Sequence, residues 1–290
     1  MSFFNGPKHI CWDITSACNE SCRFCYRVTD QRDLSLTDHF KIAEKLAVAG
    51  VRKVSIVGGE PLLVDHLPQL LKYMKSRGVS TSVVTNGILL QKCLKSLDGC
   101  VDWITLPLDG HNDSTQVAMS RISGHFERVM RLAPLVLESG FRLKINSVVS
   151  LVNYHDVQKL SECVATIGPD RWKLFEFSPI RGVSLINSIQ FSLLPKAFRK
   201  AVESIEMTVK SKGIHVTLAD RDYLNSNYFS VSPNGDVRIT VDSKDYIVGN
   251  LLNSNVADIW QHSPYDHARH WALRESLPES FYTNRLVTKV

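Results

Sequence analysis

Cys18-Asn-Glu-Ser-Cys22-Arg-Phe-Cys25 puts three cysteines on one short run with the spacing C-x3-C-x2-C. The run follows His9-Ile-Cys-Trp-Asp-Ile-Thr15, an apolar segment that reads as a strand, so the cysteines fall on the loop that leaves it. Three thiolates on one loop can ligate three irons of a four-iron, four-sulfur cluster and leave the fourth iron without a protein ligand. An open coordination position is what a metal needs to bind and activate a small molecule; a purely structural ion is closed by its ligands.

Other uses of cysteine fit less well. Structural zinc is commonly held by two C-x2-C knuckles, and only the Cys22–Cys25 pair has that spacing. Cys11 could add a fourth thiolate, but inside a strand it reads as a small hydrophobe. Seven cysteines in 290 residues do not make a disulfide framework, and no secretory signal is legible at the start of the chain. A reduced, cytoplasmic setting is expected.

Composition narrows the class further. Apolar residues make up 44% and charged residues 22%, as in ordinary soluble globular proteins. No apolar run approaches the ~18 residues of a membrane span, so no membrane partner is expected. The net charge of +5 is spread along the chain. It suits an anionic small molecule and does not form the footprint of a nucleic-acid binder.

Downstream of the cysteines, strand and helix patterns alternate. After the strand at His9–Thr15, strands read at Lys53–Val57, Thr81–Thr85, Trp103–Leu108, Arg142–Val149 and Arg171–Phe177. Helical periodicity lies between them, as at His66–Arg77, His125–Glu138 and His155–Ile167. Six strands alternating with helices imply βαβ units and a parallel sheet, either a partial barrel or a doubly wound sheet. Both architectures place the site at the carboxyl ends of the strands. The cysteine run, Gly58-Gly59-Glu60-Pro61, Asn86-Gly87 and Asp109-Gly110 all occur at such ends. The alternation lapses after Ser178. Ile180–Ser192 reads as irregular, Pro195–Lys212 as a helix, Tyr228–Ser232 with Val237–Val241 as a hairpin, Asn255–Gln261 as a short helix, and the tail to Val290 as peripheral.

Strand phase carries a second message. Lys53, Lys144, Arg171 and Lys173 each share a strand face opposite apolar residues such as Val54, Leu143, Ile145 and Trp172. If the apolar faces meet the covering helices, the cations point inward. Buried unpaired cations are rare, so they imply an anionic ligand or partner carboxylates.

The cysteine spacing, with Phe24 before the last cysteine, resembles the signature of the radical S-adenosylmethionine (SAM) superfamily. Gly58-Gly59-Glu60 resembles its second motif, whose backbone and carboxylate hold the amino end of SAM. The resemblance implies a partial (β/α)6 TIM-like barrel over residues 1–185 and a small α+β extension over 186–290 that closes it. It also implies one [4Fe-4S] cluster on Cys18, Cys22 and Cys25, and SAM positioned by Phe24, Gly58, Gly59 and Glu60, with Thr85 and Asn86 as further contacts. No cysteine follows Cys163, so no auxiliary cluster is expected. Asp109 reads as a loop cap.

A narrower likeness covers Ile10–Pro179. Lys53 ahead of the Gly-Gly-Glu motif, Lys144-Ile-Asn-Ser147 and Arg171-Trp-Lys-Leu-Phe175 resemble the viperin family, which makes antiviral 3′-deoxy-3′,4′-didehydro nucleotides from nucleoside triphosphates. The likeness implies a triphosphate held by Lys53, Lys144, Arg171 and Lys173, a SAM contact at Asn146, and a flavodoxin- or ferredoxin-type electron donor. The segment with Ser232-Pro-Asn-Gly-Asp-Val237 and Asp258-Ile-Trp260 is similar to the C-terminal parts of radical SAM maturases. The alternative is therefore a tailoring enzyme acting on a peptide, a sugar or another natural-product precursor.

Overall fold

The strand that precedes the cysteines lies inside a ten-stranded sheet, flanked on both sides. A computed structural model describes residues 6–275 apart from 30, 204, 206–208, 210 and 211. The strands are β1 (His9–Asp13), β2 (Lys53–Val57), β3 (Ser80–Val84), β4 (Trp103–Pro107), β5 (Arg142–Val149), β6 (Arg171–Glu176), β7 (His215–Ala219), β8 (Phe229–Val231), β9 (Asp236–Val241) and β10 (Lys244–Asn250). Their order is β10-β9-β8-β1-β2-β3-β4-β5-β6-β7. Strands β1 to β7 pair in parallel, as the alternation predicts. With β7 and β10 as edges, the sheet forms a partial TIM-like barrel and does not close.

Helices cover the outer face: α1 (Leu36–Val48), α2 (Leu67–Ser76), α3 (Leu90–Leu97), α4 (Asp113–Ala118), α5 (His125–Glu138) and α6 (Val157–Ile167). Helix α1 starts where Ser35 caps it, its hydroxyl accepting from the Asp38 N–H at 3.2 Å. Ile42, Ala43 and Leu46 of α1, Leu70 and Met74 of α2, and Val129 and Leu132 of α5 pack on the outward strand residues Val54, Ile56, Ile104, Leu143 and Trp172 in one buried core. Strand β5 alternates buried with half-buried residues along its whole length. This is the period-two signature of a sheet with a packed outer face and a polar inner one.

The C-terminal part has elements that its sequence reading lacks. The segment read as irregular forms two single-turn helices, α7 (Val183–Ile186) and α8 (Ser188–Phe191), too short to show helical periodicity. Helix α9 (Ala197–Glu203) covers the first part of the expected Pro195–Lys212 helix, whose remainder lies partly outside the described residues. The short α10 (Arg221–Leu224) follows β7. The expected hairpin gains a third strand, β10, through a turn at Asp242-Ser243 where both residues have positive φ (49° and 62°). Strand β8 pairs in parallel with β1, and β7 pairs with β6, so the 186–290 segment adds strands to both edges of the sheet. Finally, after α11 (Val256–His262), the supposedly peripheral tail contributes α12 (His267–Glu275), which buries His270 and Arg274 at 0% and 3% exposure. The residues α12 buries are polar, so hydropathy did not mark it as a packed element.

Candidate active site

The cysteine loop runs between β1 and α1 and is fixed by close backbone contacts with the Gly58-Gly59-Glu60 turn after β2. Gly59 N–H donates to the Thr15 carbonyl at 2.8 Å and Glu60 N–H to that of Ala17 at 2.8 Å. The approach leaves no room for a side chain: a Cβ on Gly59 would run into the Ala17 carbonyl oxygen. Gly58 has φ +119°, a conformation that L side chains rarely adopt. The two glycines are therefore what lets β1 and β2 loops lie backbone to backbone.

Glu60 ties this turn to the next one. Its carboxylate is fully buried and accepts from Thr85 Oγ1 at 2.7 Å, Asn86 N–H at 2.8 Å and Leu62 N–H at 3.0 Å. Burial pushes its pKa up, against the pull of these donors. Asn86 in turn donates from Nδ2 to Asn19 Oδ1 at 2.6 Å, inside the cysteine run. Gly58, Gly59, Glu60, Thr85 and Asn86 thus form one hydrogen-bonded ledge against the loop of Cys18, Cys22 and Cys25.

Each cysteine sulfur has an N–H donor. Glu20 N–H points at Cys18 Sγ, Arg27 N–H at Cys25 Sγ and Arg121 Nη1 at Cys22 Sγ, all at 3.4 Å. N–H donors to sulfur favour the thiolate, the form that binds metal. Without metal, burial pushes Cys22 up to about 12 and raises Cys25 as well. A bound cation reverses that preference, because coordinated thiols lose their protons. Among the described residues, no three His, Cys, Asp or Glu side chains converge where a single ion could sit. A four-iron cluster asks instead for one thiolate at each of three separate irons, and this donor set fits it.

Behind the loop is an ionic network that sequence reading missed. Glu20 Oε1 meets Arg128 at 3.1 Å and Oε2 meets Arg121 at 3.3 Å. Burial would raise the Glu20 pKa, but His125, Arg121 and Arg128 outweigh it and hold the carboxyl at about 2. Arg121 also binds Asp109 at 2.9 Å and lies 5.0 Å from the Phe24 ring centre. Asp109, read as a loop cap, instead ties the β4 loop to β5, accepting from Val148 N–H at 2.7 Å. The one legible signal was Glu20, a lone acid between Cys18 and Cys22; its partners are about a hundred residues away. Phe24 itself packs with Met119, Phe177 and Phe191.

The inward cations gather on the inner face. Lys144 and Arg171 are register partners, as are Asn146 and Lys173 one step further along. Arg171 donates to Thr217 Oγ1 at 2.8 and 3.1 Å. Lys173 bonds the Tyr228 hydroxyl and lies 4.3 Å from the Tyr223 ring centre. Lys53 lies 4.6 Å from the ring centre of Trp103. Burial, then Arg171, brings Lys53 down to about 7. Burial, then Arg171 and Lys53, lowers Lys144; burial, then Lys144, Arg171 and Arg274, lowers Lys173. Among the described residues no carboxylate acts on Lys144 or Lys173. Asn146 shares their face, and its Oδ1 is buried without a hydrogen-bond partner. Arg274, reaching in from α12, is a cation that sequence reading did not include. The structure therefore brings together two neighbourhoods: a cysteine-and-glycine ledge at the carboxyl ends, and a cationic interior below it.

The model of the Radical SAM superfamily matches residues 12–164. An S-adenosylmethionine-dependent nucleotide dehydratase of Flammeovirga pacifica is 32% identical over 231 residues, 75% of this chain and 77% of that protein. One from Thermoplasmatales archaeon (strain ISO4-H5) is 26% identical over 79% of this chain and 81% of its own length. In fold, the chain is similar to Streptococcus suis SuiB bound to S-adenosylmethionine, with TM-score 0.72 and 18% identity over 93% of this chain and 68% of that one.

Proposed function

Because this chain belongs to the radical SAM superfamily, we propose that it is a SAM-dependent nucleotide dehydratase acting on a nucleoside triphosphate. With the cluster and SAM bound, this class of enzyme supplies a 5′-deoxyadenosyl radical that removes a hydrogen atom from the substrate. Cys18, Cys22 and Cys25 would hold the cluster. Gly58, Gly59 and Asn86 would receive SAM, with the Asn146 amide oxygen as a further acceptor for its polar end. Glu60 would hold the ledge in shape through its three donors and keep one acceptor site of its carboxylate for the amino end of SAM. Lys53, Lys144, Arg171 and Lys173 would bind the triphosphate and turn the sugar toward the cysteine loop.

The observation that carries the substrate class is that Lys144 and Lys173, buried beside Arg171, are pushed toward the neutral form by burial and by neighbouring cations, with no carboxylate acting on either. An anionic ligand with several charges would offset that push. Burial of the sugar above them would exclude water from the reactive species. A flavodoxin- or ferredoxin-type protein would supply the electron. Free cysteines throughout the described residues suit a reducing, cytoplasmic setting, and no described helix is long and apolar enough to cross a membrane.

Anaerobic reconstitution tests the proposal. With dithionite and SAM, 5′-deoxyadenosine formation should rise severalfold with one of CTP, UTP, GTP or ATP, together with a nucleotide product lighter by one water. SAM cleavage indifferent to all four would overturn the nucleotide assignment and favour a peptide, sugar or other precursor.

A further inference from the structure

Strand β1 presents an inward acid that the function above does not use. Ile10 and Trp12 of the strand, and Ile14 just after it, lie in the buried outer core, so His9, Cys11 and Asp13 point to the inner face. The first two of these stand among the cations. Burial, then Arg274, Lys53 and Lys144, lower the His9 pKa, while burial raises that of Cys11 against the pull of Lys173 and Arg274. Asp13 is one step further along the strand, toward the cysteine loop. Its register partner is Val57, the residue before Gly58, and a Cβ on Gly58 would come within 3.2 Å of the Asp13 Cα. Asp13 therefore occupies the level between the cationic interior and the ledge.

The Asp13 carboxyl is left without a bond of its own. It is 8% exposed, and among the described residues it makes no hydrogen bond and no ion pair. Two arginines act on it, Arg181 and Arg238, but both are bonded to Asp245 on β10, at 2.7 and 2.6 Å. Arg238 also donates to Ser232 Oγ at 2.7 Å. Burial pushes the Asp13 pKa up against the pull of both arginines. Buried polar groups are normally hydrogen-bonded, and leaving one unpaired costs stability, so a carboxyl in this state marks the place of a missing donor.

The position says which donor. A ligand whose phosphates rest on Lys144, Arg171 and Lys173 and whose reacting carbon faces the ledge must place its sugar at this level. Sugar hydroxyls are donors, and a carboxylate with both oxygens open can accept from two neighbouring hydroxyls at once. Resting on the nucleotide reading above, we propose that Asp13 grips the ribose of the substrate, its two oxygens accepting from the 2′- and 3′-hydroxyls, and so selects ribonucleotides over deoxyribonucleotides.

The test uses the anaerobically reconstituted enzyme with SAM. Titration calorimetry is run with CTP, UTP, GTP and ATP, with the 2′-deoxy and 3′-deoxy counterparts of the tightest binder, and with inorganic tripolyphosphate. The wild type should bind the ribonucleotide about tenfold or more tighter than either deoxy counterpart, because a site built to hydrogen-bond a hydroxyl rejects the analogue that lacks it. Asp13→Ala should bring ribonucleotide and deoxynucleotides to near parity, with tripolyphosphate affinity unchanged or tighter, since an acid has been removed. Asp13→Asn, of the same shape, keeps one acceptor oxygen and should retain part of the preference.

A full preference surviving in Asp13→Ala overturns the proposal. So does equal loss of ribonucleotide and tripolyphosphate affinity, the mark of a merely structural acid, and so does loss of SAM affinity, which would make SAM the occupant. Should Asp13→Ala fail to fold, undiminished preference in Asp13→Asn overturns it. A wild type that binds the triphosphates without regard to their sugar hydroxyls overturns the sugar role alone. A wild type that binds none of the four overturns the nucleotide reading itself.

Discussion

Lys144 on β5 and Arg171 on β6 are register partners on adjacent parallel strands, so two cations stand side by side on the inner face of the sheet. Arg171 is the largest charge acting to lower the Lys144 pKa, and Lys53 adds to it. Folding brings these groups together against their repulsion, which is the behaviour of a site built for a ligand.

Removing one cation should therefore separate stability from binding. Lys144→Met is expected to raise the ligand-free melting temperature, since replacing buried charge by apolar volume can stabilise by about 1–4 kcal/mol. The same change should weaken triphosphate binding by roughly tenfold to a hundredfold, given about 1.4 kcal/mol per factor of ten. Thermal melts and calorimetry with inorganic tripolyphosphate read both effects; unchanged tripolyphosphate affinity would remove Lys144 from the site.

Lys53 adds a pH dependence with a defined sign. Its pKa falls to about 7 in the fold, below the ordinary lysine value of 10.5. The unfolded chain therefore holds more protons between these limits, and stability should rise with pH across that window. The penalty is fully present below about 7. An anionic ligand restores the charged form, so triphosphate binding at pH 8 should take up protons and weaken as pH climbs. Calorimetry in two buffers of different ionisation enthalpy measures the uptake; proton release would contradict it.

The ledge should be brittle at two positions. Glu60→Gln turns an amide N–H2 toward donors now satisfied by the carboxylate, at a cost of about 1–3 kcal/mol for each buried group left unpaired. Gly59→Ala has no tolerated geometry against the Ala17 carbonyl, so the two loops must separate. Both variants should lose SAM affinity in equilibrium dialysis, and Gly59→Ala should bind iron poorly as well. A Gly59→Ala protein with wild-type melting and SAM binding would refute the close-approach argument.

Cluster ligation should need three cysteines and no more. Single Cys→Ala changes at positions 18, 22 and 25 should abolish the brown absorbance and leave the far-UV circular dichroism intact, because these side chains are half-buried loop residues outside the core. Cys11→Ser on β1 should keep the iron content. Full loss of iron in Cys11→Ser would point to a four-thiolate site.

Much of the fold was legible because β5 alternates Leu143, Ile145 and Ser147 with Lys144, Asn146 and Val148, and its neighbours repeat that phase. Such periodicity is local, so sequence displays it. The Glu20–Arg121–Asp109 network was not legible, since charged residues have no period that names their partners. Arg274 was missed for the same reason, and α12 because the residues it buries are polar.

Three cysteines at fixed spacing, two glycines beside an acid, and inward-phased lysines are properties of the chain, set by residue type and by the geometry of strand and turn. The sequence by itself determined that chemistry and its place at the strand ends. Tertiary structure alone decided that the chain's last third borders both sheet edges, that Glu60 clasps Thr85 and Asn86, and that the arginines acting on Asp13 are bonded to Asp245. Those facts depend on contacts between residues distant in the chain, which form only when burial of the shared core brings them together.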